Sequence, residues 1–212
     1  MTEQSRERTW RERVPKPVRT AGWQAWARLK RQKPGLLMRF AGAIPDAEPV
    51  LSPGYELRTW LPGDDAQWLA LMNASGAFGE WDAARLAREN AGLVAEAQVF
   101  AVYGGSLVAA TGVLERPLRG KPALEMAWVT RHPAHAGHGL GRAVFLRSLC
   151  EILRTRPGTL VYLYTDDHRL TAIAMYLDFG FVPELRSHRS YAGRWERVFV
   201  ALARRGRLAT RD

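Results

Sequence analysis

The chain has 212 residues, 47% of them apolar, enough for the core of one domain with an appendage, and no apolar run approaches the roughly 18–20 residues needed to span a bilayer. Its net charge of +10 is uneven: residues 1–40 hold 11 Lys and Arg against 3 Asp and Glu, and the rest of the chain holds 20 against 18. Basicity therefore points to an anionic partner only for the first forty residues. The single cysteine, Cys150, excludes an internal disulfide and a cysteine-rich zinc site. With no secretory signal in the N-terminal sequence, a cytoplasmic location is expected.

In chain order, residues 1–15 are polar and aperiodic. Val18, Gly22, Ala25, Trp26 and Leu29 recur at helical spacing up to Pro34 and Gly35, which predicts a helix over 18–33. Pro45, Pro49 and Pro53 mark a linker, so residues 1–53 are expected to be a basic extension and linker. Residues 54–205 are expected to form a compact α/β domain, followed by a tail over 206–212. Within that domain, strands are predicted over 55–60, 98–103, 107–114, 123–130, 159–164 and 194–202. Helices are predicted over 64–73, 82–91, 140–154 and 171–178. The fold class expected is mixed α/β, a mostly antiparallel central sheet with helices on both faces.

The most informative segment is the glycine-rich turn of residues 135–142, HAGHGLGR, after a strand and at the head of a helix. Glycines let a backbone approach a ligand closely. The first N–H groups of the helix and its dipole favour an anion there, which suits a pyrophosphate. The turn is not a Walker motif. It is GxGxG rather than GxGxxG, and no acidic residue about 20 positions on is placed to hold a ribose.

Residues 132–144, HPAHAGHGLGRAV, after EMAWV at 125–129, resemble the pyrophosphate motif Q/R-x-x-G-x-G/A of the GNAT acetyltransferases. Ala136 stands at the Q/R position. Residues 164–183, YTDDHRLTAIAMYLDFGFVP, resemble the second cofactor segment of that family: Ala172, Tyr176, Gly180 and Phe181 match its spacing, while Arg169 replaces its usual Asn. The resemblance covers residues 54–203 and implies acetyl-CoA or another acyl-CoA as co-substrate. It places the pyrophosphate on backbone amides of Ala136, Gly137, His138, Gly139, Leu140 and Gly141, with Arg142 at the rim. The pantetheine would lie along Trp128, Val129 and Thr130, and near Ala172, in a V-shaped opening between the strands at 123–130 and 159–165, with Arg169 meeting a phosphate or the pantetheine arm, or else facing water. Tyr176 is implied as general acid to the departing thiolate. The implied activity is direct transfer, in a ternary complex, to a small-molecule or peptide amine.

An alkylammonium, with a pKa near 10, must lose a proton before it attacks. Glu125 is the candidate base, or else a strand-edge carboxylate paired with an arginine; Glu80, Asp82 and Asp166 are further candidates. Trp81 and Glu80 are expected at the acceptor pocket. His132, His135 and His138 are not expected to bind metal, because their turn is committed to phosphate, and no G-x-S-x-G elbow is present. Trp10, Trp23 and Trp26 among the basic residues of the extension suit RNA or an anionic membrane surface. They equally suit a solubilising tail or a helix packed on the domain or on a second subunit of a homodimer. A non-catalytic CoA-binding module stands as the competing class of function.

Overall fold

The computed structural model describes residues 34–45 and 48–206. The helix expected over 18–33 and the proposed RNA, membrane or dimer contacts of the extension lie outside the described residues. The strands are β1 (Leu36–Phe40), β2 (Tyr55–Thr59), β3 (Val99–Tyr103), β4 (Ser106–Glu115), β5 (Ala123–Arg131), β6 (Leu160–Thr165) and β7 (Phe181–Pro183). The helices are α1 (Asp65–Ser75), α2 (Ala83–Glu89), α3 (Leu140–Thr155), α4 (Leu170–Asp178) and α5 (Tyr191–Arg204), with short 3₁₀ turns at Ala95–Ala97 and Pro133–His135. The sheet has seven strands in the order β2-β3-β4-β5-β6-β1-β7. All its pairings are antiparallel except β5 with β6.

Three elements differ from the sequence expectation: the short strand β7 forms where only a helix end is read, and the other two differences are linked. Residues 194–202 form part of helix α5 rather than a closing strand. Tyr191, Trp195, Val198 and Leu202 are its buried apolar residues. Their spacing of four, three and four is helical, and the mixed polar run between them only imitates alternation. The strand between β6 and β7 is instead β1, from a segment the sequence reading assigned to the extension. Leu36, Leu37 and Met38 are all buried, at 0%, 3% and 0% exposure. Three consecutive buried residues are what a strand covered on both faces requires. The compact unit therefore begins at Leu36.

Helices α1 and α2 cover one part of the sheet, and local polar contacts place them. The Arg58 guanidinium donates to both carboxylate oxygens of Asp64, at 2.6 and 2.7 Å, and the Leu61 N–H donates to the same carboxylate at 2.8 Å. This joins the end of β2 to the start of α1. Asp82 caps α2 by accepting from the Arg85 N–H at 2.6 Å. The largest core cluster packs α3, α4 and α5 with β1, β5 and β6, and holds Phe145, Tyr176, Phe181 and Trp195. Among the described residues, no helix is long and apolar enough to cross a membrane.

Chains beginning at residue 34 and at residue 54 separate the two domain boundaries. The first is expected to melt cooperatively, and the second, lacking β1, to lose that transition in circular dichroism. Asp64→Asn should lower stability by about 2–3 kcal/mol at pH 7, since it removes hydrogen bonds to a charged pair. The Arg58 hydrogen bonds hold the Asp64 carboxyl below the usual carboxylate range. Its contribution is thus present above the unfolded pKa near 3.9 and is lost as pH falls toward the folded value, so urea midpoints of variant and parent should converge in acid.

Candidate active site

The site begins where two strands part. β5 and β6 pair in parallel at Ala123 with Leu160, Leu124 with Val161 and Glu125 with Tyr162, and there the ladder ends although both strands continue. On the other side of β5, the register against β4 shifts between Ala110 and Gly112, so Trp128 and Val129 oppose Thr111. This is a β-bulge, and Trp128 takes a left-handed φ of 55°. Such a conformation costs a non-glycine residue about 1–2 kcal/mol. The indole in return packs edge to face on Phe78 at 5.6 Å and on Trp81 at 5.0 Å. Each such pair contributes about 0.5–1.5 kcal/mol, enough to offset the strain.

Beyond β5 the chain enters the 3₁₀ turn, where His132 Nδ1 accepts from the Ala134 N–H at 3.2 Å. Gly137 and Gly139 have φ of 86° and 68°, which favours glycine. Gly141 has an ordinary helical backbone, and a Cβ built on it would meet nothing within 4 Å. Nothing inside the protein requires glycine there. The N–H groups of residues 137–142 have no acceptor among the described residues, and the first satisfied amide is that of Ala143, bonded to the Gly139 carbonyl at 3.0 Å. Gly137, Gly139, Leu140, Gly141 and Arg142 line an open cleft of about 700 Å³ whose other walls are β5 and α4. The hydroxyl of Thr130, in the β5 wall, is enclosed and has no partner among the described residues. Unpartnered amides and an unfilled glycine position fit a diphosphate-bearing ligand.

The sequence-predicted residues divide between this cleft and its surroundings. Val129, Thr130, Gly137, Gly139, Leu140, Gly141, Arg142 and Ala172 line it. Trp128 is turned toward Phe78 and Trp81. The Ala136 N–H is used within the turn, bonded to the Pro133 carbonyl at 3.2 Å. The His138 imidazole is hydrogen-bonded to the Ser52 hydroxyl at 3.3 Å and packs on Tyr55, while His135 is hydrogen-bonded to the Tyr55 hydroxyl at 2.9 Å. No group of three or more His, Cys, Asp and Glu among the described residues is arranged to hold a metal. The Arg142 guanidinium lies 4.3 Å from the Phe179 ring and pairs with the exposed Asp178. Arg169 spans the mouth of the opening: it donates to the Ala77 carbonyl at 2.9 Å, lies 4.8 Å from the Phe78 ring and pairs with Asp166. Trp81 is buried, under the Arg85 guanidinium at 4.4 Å, and Glu80 is exposed.

Tyr176 sits on α4, the helix whose Ala172 and Met175 line the cleft. Its ring packs 5.0 Å from Phe145, and its hydroxyl has no hydrogen-bond partner among the described residues. Burial pushes the phenol up to about 12, although the positive charge of Arg169 pulls the other way. Glu125 is paired, as the alternative reading of it allowed: the Arg116 Nη1 donates to its Oε2 at 3.2 Å. Burial nevertheless raises its carboxyl above the usual range, against the lowering effect of Arg116 and of the Tyr162 hydroxyl. Arg116 and Tyr162 were not singled out from sequence. They carry no local motif, and only the β4-β5-β6 register brings them to Glu125.

The opened sheet and the unpartnered amides define an α/β protein whose cleft is edged with free main-chain N–H groups among the described residues. The family described as Acetyltransferase (GNAT) matches residues 57–181, and the chain belongs to that family. It is 34% identical to a mycothiol acetyltransferase of Frankia casuarinae across 74% of this chain and 49% of that protein, so it spans about half the length of this relative. Its fold is shared with a GCN5-related N-acetyltransferase from Sphaerobacter thermophilus (19% identity, 76% of this chain and 53% of that one, TM-score 0.61). A GNAT-family structure from Novosphingobium aromaticivorans is also similar (21% identity, 71% and 60% covered, TM-score 0.54).

Gly141→Ala tests the cradle. Its methyl would occupy the space before the amides, and calorimetry should show coenzyme A affinity falling roughly tenfold or more, the equivalent of one hydrogen bond to a charged group. The melting temperature should stay level or rise, because alanine favours the helix. Unchanged affinity would show that this position does not face the ligand.

Proposed function

We propose that this protein transfers an acetyl group from acetyl-CoA to a primary amine, on a small molecule or a peptide, by direct attack in a ternary complex. The observation that carries the proposal is the run of amides over residues 137–142 with no acceptor among the described residues, beside a cleft long enough to continue along β5. Family membership and the likeness to a mycothiol acetyltransferase support the same reaction class.

In this reading the amides of residues 137–142 hold the pyrophosphate, and Val129 and Thr130 offer backbone groups to the pantetheine. The acceptor enters from the side covered by α1 and α2, where Glu125, Trp128 and the 78–81 loop gather, with Trp81 and Glu80 at its edge. Glu125 takes the ammonium proton, directly or through water. Its raised pKa moves it toward the working pH, which favours a base of this kind. Tyr176 remains protonated at every pH near neutrality and is always ready to donate. Full proton transfer from a phenol near 12 to a thiolate near 8.5 runs about 5 kcal/mol uphill. The hydroxyl therefore acts on the departing sulfur first as a hydrogen-bond donor, and transfer completes as charge develops there.

Tyr176→Phe leaves the ring packing in place and removes only the donor. It should lower kcat by about 10²-fold, with the coenzyme A Kd within about twofold of the parent. Turnover at the parental rate, measured as thiol release across a panel of amines, would remove Tyr176 from the mechanism.

A further inference from the structure

The carboxylate of Glu125 is held by one oxygen only. Oε2 accepts from Arg116 Nη1 at 3.2 Å and lies 3.5 Å from the Tyr162 hydroxyl. Oε1 has no hydrogen-bond partner among the described residues, yet it is not sealed away as the orphaned Thr130 hydroxyl and Trp128 indole are. A buried carboxylate with both oxygens satisfied would be structural. This one is fixed at one oxygen and open at the other.

The clamp itself is anchored. Arg116 follows β4 and donates through Nη2 to the Glu89 carbonyl, at the last residue of α2, at 2.6 Å, with the Glu89 carboxylate 3.5 Å away. Its guanidinium lies 5.9 Å from the Trp128 ring. Tyr162 is the β6 residue in register with Glu125 at the last rung before the strands part, and its single O–H proton is shared between Oε2 and the Arg116 carbonyl, 3.3 Å away. Two groups from separate elements thus converge on Oε2, Arg116 anchored on the end of α2 and Tyr162 on β6, and they set the direction of Oε1. Resting on the reading of Glu125 as base, we infer that Arg116 and Tyr162 are positioning residues that hold Oε2 so that Oε1 alone receives the acceptor proton.

Every charged or titratable group facing Glu125 acts in a known direction. Arg116, from the connection after β4, and the Tyr162 hydroxyl, from β6, favour the carboxylate; Glu89, from the end of α2, disfavours it. Tyr164, also on β6, couples to Glu125 through its own phenolate and is uncharged near neutrality. Removing the arginine leaves burial and Glu89 opposed only by the Tyr162 hydrogen bond, so the carboxyl should titrate at higher pH.

The test uses the full-length protein labelled with carboxyl-¹³C glutamate, the Glu125 signal being assigned by its loss in Glu125→Gln. In the absence of substrates, Arg116→Gln should move the Glu125 midpoint upward by about one pH unit. Arg116→Lys should restore part of the shift, and Tyr162→Phe should give a smaller one in the same direction. The acid limb of kcat/KM against pH should move with the carboxyl in each variant, while the coenzyme A Kd stays constant. An unmoved midpoint in both Arg116→Gln and Tyr162→Phe, or a moved midpoint with an unmoved acid limb, overturns the inference. If Arg116→Gln does not fold, Tyr162→Phe decides by the same two readouts. Full activity of Glu125→Gln at all pH values instead removes the base reading beneath it, and is recognised because the midpoint shifts would persist.

Discussion

Parallel strands normally stay paired because each unmade backbone hydrogen bond in a protein interior costs about 1–3 kcal/mol. β5 and β6 give up their ladder after three pairs, and every feature of the site follows from that parting. The bulge at Trp128 bends β5, and β6 remains supported on its far side by β1. Between them lies a gap edged with main-chain groups, which an extended polar ligand can fill as a strand would. The helix that opens at residue 140 then sets its first amides at one end of the same gap.

Two kinds of environment meet at this gap. The α3–α4 side is apolar, and it keeps Tyr176 protonated in a nest of Phe145 and Phe181. The α1–α2 side is aromatic but carries charge, with Glu125, Arg116 and Glu89 within hydrogen-bonding distance of one another's partners. Arg169 reaches across from the head of α4 to the carbonyl of Ala77 and ties the two sides together. Its long side chain pins the loop at Ala77 and Phe78. Tyr176 and Glu125 thus lie in different surroundings, the one set by apolar burial and the other by burial against a charged pair.

Much of the anion cleft was legible in the residues. HAGHGLGR announced a backbone cradle because glycine spacing and a helix start are local signals, and the amides of residues 137–142 within it have no acceptor among the described residues, while those of His135 and Ala136 close the turn. The helical stripes of α3 and α4 and the hairpin at Gly104 and Gly105 were equally local. The parting of β5 from β6 was expected from the resemblance and is present in the register. Arg142 and Arg169 were placed by position rather than by contact: one stacks on Phe179, the other straps the loop at Ala77.

What the sequence determined by itself is therefore the set of elements whose code lies within a few residues: turns that need positive φ, apolar stripes at helical spacing, and a run of consecutive amides at a helix start. Tertiary structure decided which strand fills which slot. The short apolar run Leu36–Phe40 does not name its place, and only the sheet order sets it between β6 and β7, whereas residues 194–202 carry helical spacing of their own. It also decided the company of Glu125, since Arg116 and Tyr162 lie 46 residues apart and meet solely through register. Pairing free energy is shared along whole strands, so no short stretch of sequence specifies it.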